Sequence, residues 1–260
     1  MEVTLKNKNA LITGGSLGLG KAIAKEFVKS GANVGIVARN EENLANAHTE
    51  LSKLGPGQIT TISADIRLAD DCIRCAKEIK TAYGQLDILI NNAGTSQRGP
   101  FLNITDELWQ DDLDLKLFAA IRLSRLFLPE MIERRSGRII NVLNVGAKNP
   151  MAEGAPTAVS RAAGMALMKV LANEGAPHNV LVNALLVGKI KSDQWARRHA
   201  KNPNGLSLEE WYEETGKDQP LGRLGEPEEF AHLACFLASE KGSYINGAAI
   251  NVDGGLCPSV

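Results

Sequence analysis

The run Asn9-Ala10-Leu11-Ile12-Thr13, followed by Gly14-Gly15-Ser16-Leu17-Gly18-Leu19-Gly20, decides how the rest of this chain is read. Five residues with a mostly apolar centre run straight into glycines, and 21–30 then places Ala22, Ile23, Ala24, Phe27 and Val28 at helical spacing. That is a strand, a glycine turn and a helix. Glycines at such a turn let a backbone approach a phosphate at the positive end of the helix.

The same alternation continues outward from this unit. Strands are predicted over 33–38, 58–63, 86–90, 137–143 and 180–186, with helices over 41–54, 70–83, 106–133 and 157–175. Strands without polar alternation are buried on both faces, and strand-helix alternation requires right-handed crossovers. The expected fold is α/β: one Rossmann-type, doubly wound parallel sheet with helices on both faces, spanning 1–260 as a single domain. Ligand is then expected at the carboxyl ends of the strands. After the sixth strand a polar stretch, 189–221, carries Trp195, Trp211 and Tyr212 before the pattern resumes as helix 226–237 and strand 248–252. This insertion is expected to be a substrate lid, with a surface excursion or an oligomer contact as the alternative.

Composition narrows the partners. With 260 residues, 44% of them hydrophobic and 23% charged, the chain can bury one α/β core. A net charge of -1, with Lys and Arg scattered, offers no basic stripe for nucleic acid. No segment reaches the roughly 18 apolar residues that a membrane span requires, so a cytoplasmic protein acting on a small molecule is expected. Cysteines 72, 75, 235 and 257 make neither a disulfide framework nor a zinc set. The Cys72-x-x-Cys75 spacing falls inside a predicted helix and reads as packing. Histidines 48, 178, 199 and 232 lack ligand spacing, so no metal is expected.

Three further motifs accompany the glycine turn: Asp65 after the third strand, Asn91-Asn92-Ala93-Gly94 after the fourth, and Asn251-Val252-Asp253-Gly254-Gly255 near the end. Together they resemble the short-chain dehydrogenase/reductase family over essentially the whole chain. The resemblance implies a nicotinamide dinucleotide. Its phosphates would lie on Gly14, Ser16, Leu17, Gly18, Leu19 and Gly20, and its adenine near Asp65 and Ile66. Asn92, Ala93 and Gly94 would border it, Asn91 would support the sheet, and Gly188 and Ile190 would approach from beyond the sixth strand. Asp65 could instead be a helix-capping or turn residue. The second strand ends Val37-Ala38-Arg39-Asn40, with no acid for a ribose 2′-hydroxyl. Arg39 suits a 2′-phosphate, which favours NADP, although a guanidinium stacked on adenine would serve NAD as well.

The catalytic positions depart from the pattern. The flanking text at 137–142 and 160–163 aligns Asp114, Asn144, Thr157 and Arg161 with the family's Asn, Ser, Tyr and Lys. A phenol with a free pKa near 10 can be tuned toward neutrality, whereas an aliphatic hydroxyl is several units less acidic. Thr157 is therefore expected to hydrogen-bond without shuttling protons unaided. Arg161 remains a cationic fork, able to hold the nicotinamide ribose hydroxyls or a carboxylate. Asn144 can donate to a carbonyl oxygen, and Asp114, if buried beside Arg161, is a displaced acid or a salt bridge. Lys148, Glu153, Lys189 and Lys191 are read as solvated.

Two functions stay open. One is an NADP-dependent oxidoreductase of a small carbonyl or alcohol, its proton coming from a relocated acid or an ordered water. The other is an NADP-binding regulatory or structural subunit without turnover. Non-redox family offshoots such as the halohydrin dehalogenases keep the tyrosine and give up the dinucleotide turn, the reverse of this chain. The resemblance also implies a homodimer or homotetramer formed through the long helices.

Overall fold

Seven strands, β1 (Asn9–Thr13), β2 (Asn33–Ala38), β3 (Ile59–Ser63), β4 (Ile88–Asn91), β5 (Gly137–Asn144), β6 (Val180–Val187) and β7 (Ala249–Val252), form one sheet in the order β3-β2-β1-β4-β5-β6-β7. Every neighbouring pair is parallel. The computed structural model describes residues 2–201 and 204–259. Helices α1 (Gly18–Lys29), α2 (Glu41–Leu51), α3 (Ala69–Tyr83), α4 (Asp106–Leu113), α5 (Ala119–Glu133) and α6 (Thr157–Gly175) make the crossovers, and α7 (Asp193–Lys201), α8 (Leu208–Lys217) and α9 (Pro227–Ala238) follow β6.

The sheet is buried on both sides because successive side chains alternate between two apolar layers. Ala10 and Ile12 of β1 join Ile23, Phe27 and Phe230, on the side of α1 and α9. Leu11 of the same strand joins Ile79, Phe127 and Met168, on the side of α3, α5 and α6. From β1 the chain winds outward through β2 and β3, then crosses back to β4 on the other side of β1. This reversal opens the crevice in which doubly wound folds take their ligands.

Helix α1 starts at Gly18, earlier than the apolar spacing implies, because Gly18 and Gly20 carry no side chain to report the period. The predicted long helix 106–133 is continuous but contains a π-helical turn, Asp114–Phe118, between α4 and α5. Such wide turns re-phase a helix and concentrate at functional sites. Cys72 and Cys75 are fully buried, and burial pushes their thiols up to about 11 and about 12, which leaves them as packing.

The 189–221 stretch holds a helical pair rather than irregular chain. Trp195 of α7 and Trp211 of α8 pack with ring centroids 5.8 Å apart, and a Ser207–Glu210 capping box starts α8. A parallel bridge between Ile190 and Gly225 closes the base of the excursion. Among the described residues no helix is long and apolar enough to cross a membrane.

Candidate active site

The carboxyl ends of β1, β2, β4, β5 and β6 open into a cavity of about 1130 Å³. It runs from Arg39 and Asp65 at one end, past Gly14 and Asn92, to Asn144, Thr157 and Arg161 at the other.

The glycine turn is a rigid backbone platform. Gly14 and Gly18 take φ of +64° and +54°, where an L side chain is strained. Asn92 Nδ2 donates to the carbonyls of Thr13 (2.9 Å) and Gly14 (3.2 Å), while the Thr13 hydroxyl accepts from the Asn92 and Ala93 amides, both at 3.0 Å. A Cβ on Gly20 would overlap the Gly14 carbonyl and lie 2.5 Å from Asn92 Nδ2. Leu17, before α1, offers no side-chain cap, and backbone bonding starts only with Lys21 N to Leu17 O at 3.2 Å. The α1 amides before Lys21 thus have no protein acceptor among the described residues, which makes a cradle for an anion.

Ser16, Leu17, Leu19, Ala93, Gly94 and Ile66 line the cavity, as Gly14, Gly20 and Asn92 do. Gly188 lines it as well, pressed so close to Asp253 that a Cβ there would lie 2.6 Å from the Asp253 Cα. Two expected residues do not line it. Gly18 lies behind Asp193, whose Oδ1 would be 2.6 Å from a Cβ there, and the Ile190 side chain packs into the core while its backbone bridges to Gly225. Asn91 bonds through Nδ2 to Asn141 Oδ1 at 2.9 Å and ties β4 to β5.

At the outer end Arg39 is 63% exposed, its NH1 4.0 Å from Asp65 Oδ2. Arg67 grips the Asp65 carboxylate through Nε (3.1 Å) and NH2 (2.6 Å) and holds it below the usual carboxylate range. Sequence reasoning passed over Arg67, although a basic residue two positions after a strand-end acid was a readable signal.

At the inner end the structure corrects the fourth-helix assignment. Asp114 points away from the cavity, where its carboxylate accepts from Arg122 NH2 (3.1 Å) and Gln110 Nε2 (2.9 Å). It is not beside Arg161. Lys116 instead lies behind the cavity wall, where the π-helical turn buries it with Asp112 and it reaches Thr157; neither residue lines the cavity itself. Lys116 and Asp112 form a buried ion pair, their side chains 1% and 0% exposed. Lys116 Nζ also donates to Thr157 Oγ1 at 2.7 Å, and Ser160 Oγ donates to Asp112 Oδ2 at 2.6 Å. Burial, and then the charge of Arg161, push Lys116 down to about 8 against the pull of Asp112. An acid and a base four apart within a helix were the available sequence signal.

Thr157 is heavily engaged. Its hydroxyl bonds to the Gln97 carbonyl and accepts from the Gln97 amide (3.0 Å) as well as from Lys116. Arg161 donates through NH1 to the Val142 carbonyl at 2.8 Å, with NH2 against Gly94, and burial pushes its pKa down to about 10. Asn144, the last residue of β5, carries a buried Oδ1 that no donor among the described residues reaches. Lys189 lines the same cavity, whereas Lys148 and Lys191 do not. Lys191 pairs with Glu209 and Glu226 outside it.

The short chain dehydrogenase family profile matches residues 8–203. A 3-oxoacyl-(acyl-carrier-protein) reductase of Chlamydia pneumoniae is 34% identical over 256 residues, covering 98% of this chain and 99% of its own. An uncharacterized oxidoreductase of Bacillus subtilis is 31% identical, and each chain covers 100% of the other. Among solved structures, the L-sorbose reductase of Gluconobacter frateurii complexed with NADPH and L-sorbose superposes with a TM-score of 0.95 at 32% identity, over 100% of both chains. A match over most of the chain, full-length relatives and the same seven-stranded sheet agree: this chain belongs to the short-chain dehydrogenase family.

Proposed function

We propose that the chain binds a nicotinamide dinucleotide, NADP in preference to NAD, and works as an oxidoreductase on a small carbonyl or alcohol through a non-standard proton transfer. The observation that carries this reading is the cradle: a glycine turn where Cβ atoms would clash, uncapped amides at the start of α1, and an orphaned Asn144 Oδ1, all on one cavity. Gly14, Ser16, Leu17, Leu19 and Gly20 would hold the phosphates, Asp65 and Ile66 the adenine, and Ala93, Gly94 and Gly188 the inner half. Arg39 presents a fork suited to a 2′-phosphate, and the NADPH complex of the similar sorbose reductase supports the same choice. The cofactor, when bound, supplies or accepts the hydride.

In this reading Asn144, Thr157 and Arg161 stand where the family has Ser, Tyr and Lys, and Lys116, which reaches Thr157, takes over as the proton source. Asn144 orients the substrate oxygen, and Arg161, cationic at neutral pH, steadies the ribose hydroxyls. The proton originates on Lys116, which sits close enough to neutrality to give it up. During carbonyl reduction the Thr157 hydroxyl passes its proton to the substrate oxygen and takes one from Lys116 Nζ, 2.7 Å away. Thr157 ends unchanged and Lys116 neutral; alcohol oxidation runs the same path backwards.

One observation favours a second reading. The Thr157 hydroxyl already has a carbonyl acceptor and two donors, which suits an NADP-binding regulatory or structural subunit without turnover. NADPH calorimetry, with NADPH consumption across carbonyl and imine substrates, separates the two. Turnover that falls about a hundredfold in Lys116→Met supports the enzyme. Tight binding without turnover supports the subunit, and absent binding overturns both. Exposed Val159 and Val170 on α6 and Phe118 beside α5 support a homodimer or homotetramer through these helices, which light scattering tests.

A further inference from the structure

The inner mouth of the cavity gathers positive charges without counter-charges. The backbone of Arg98 is held beside the site floor: it forms an antiparallel bridge with Pro156, and the preceding residue, Gln97, bonds to Thr157. Across the opening, Arg198 of α7 lies over the Trp195 ring, its Cζ 4.6 Å from the centroid. Both arginines line the cavity. Neither guanidinium makes a hydrogen bond or an ion pair among the described residues, whereas neighbouring Arg197 is paired with Asp193. Arg161 adds a third guanidinium below them. The acidic residues lining the cavity are Asp65 and Asp193, and both are held by other arginines.

Like charges brought together in a half-buried setting cost free energy, and five guanidinium donors without an acceptor cost more. Burial, and then the charge of Arg98, hold Arg198 below the usual arginine range. An anion between the two forks would remove both penalties, because planar guanidinium matches carboxylate and phosphate oxygens two at a time.

We propose that Arg98 and Arg198 form a binding site for an anionic group, a carboxylate or phosphate carried by the substrate, at the mouth above Thr157. The site rests on the oxidoreductase reading only for what the anion is attached to, not for its binding. The test titrates glycerol 3-phosphate, glycerate and glycerol into the protein with and without saturating NADPH. Tryptophan emission is the readout, since Trp195 lies beneath Arg198. The anions are expected to bind at least tenfold tighter than glycerol, and more weakly as salt rises. Arg98→Gln and Arg198→Gln should each remove most of that preference, the double variant all of it, and Arg198→Lys only part. The stronger of the two anions identifies the group. Anions that bind no tighter than glycerol, or not at all, overturn the proposal, and so does a preference that survives the double variant. NADPH titration of the same samples separates the claims: loss of NADPH binding with the anion preference intact sinks the cofactor reading alone.

Discussion

Replacing either partner of the buried Asp112–Lys116 pair should destabilise the fold far more than replacing both. The side chains are 0% and 1% exposed, so neither single variant can call on water to satisfy the charge left behind. Lys116→Met leaves the Asp112 carboxylate with the hydroxyls of Ser160 and Thr157. Asp112→Leu leaves the ammonium with Thr157 and the repulsion of Arg161. Each single change is expected to cost about 3–5 kcal/mol. In the double variant Ser160 keeps its bond to the Thr157 carbonyl (3.1 Å) and Thr157 keeps Gln97, so no charge and few polar atoms are orphaned. Its cost should stay within about 2 kcal/mol of the parent, because apolar replacement of a buried pair is often near neutral. The coupling across the cycle is therefore several kcal/mol. Urea unfolding at neutral pH and constant protein concentration, followed by tryptophan emission, measures it. Melting temperatures should drop by roughly 6–20 °C in the singles. Singles that sum to the double within about 0.5 kcal/mol would refute the coupling, and the reading of Lys116 as a held, titratable group would go with it.

Other outcomes follow from the same geometry. Lys116 titrates at about 8 in the fold against 10.5 in the unfolded chain. The unfolded chain therefore binds more protons between those values, and stability from this group rises with pH across that window and is flat below it. The gain is about 3 kcal/mol, read as the difference between the parent and Lys116→Met in unfolding series at successive pH values; a difference without slope above pH 8 would contradict the assigned burial. Arg39→Ser is expected to weaken NADPH by about tenfold to a hundredfold in calorimetry while leaving NADH unchanged. Equal losses for both would mean that Arg39 stacks on adenine. Gly20→Val should abolish dinucleotide binding at a stability cost of about 1–3 kcal/mol, since a Cβ there overlaps the Gly14 carbonyl; retained affinity would move the phosphates elsewhere. Exchanging Asn144→Ser, Thr157→Tyr and Arg161→Lys together should yield NADPH-dependent carbonyl reduction, and an inert but folded product would show that the pocket has diverged too.

The alternation of strands and helices was readable in the chain because it is local. Runs such as Ala10-Leu11-Ile12 bury both faces, so their apolar character shows without any knowledge of neighbours. The glycine turn was equally plain, since Gly14 and Gly20 are required by φ and by close approach, which no other residue satisfies. Asn144, Thr157 and Arg161 could be placed because the text on either side of them is continuous. What spacing could not supply was the phase of the fourth helix. A π-helical turn adds residues without leaving a mark in the hydrophobic period, so nothing in the chain showed that Asp114 would face Arg122 rather than Arg161. Ile190 looked like a groove residue, whereas its side chain packs in the core. The company each charge keeps was also out of reach, from Arg67 on Asp65 to the unpaired Arg98 and Arg198. Local order along the chain thus determined the elements and the dinucleotide turn, whereas the partners of buried charges join residues tens of positions apart and exist only once the elements have packed.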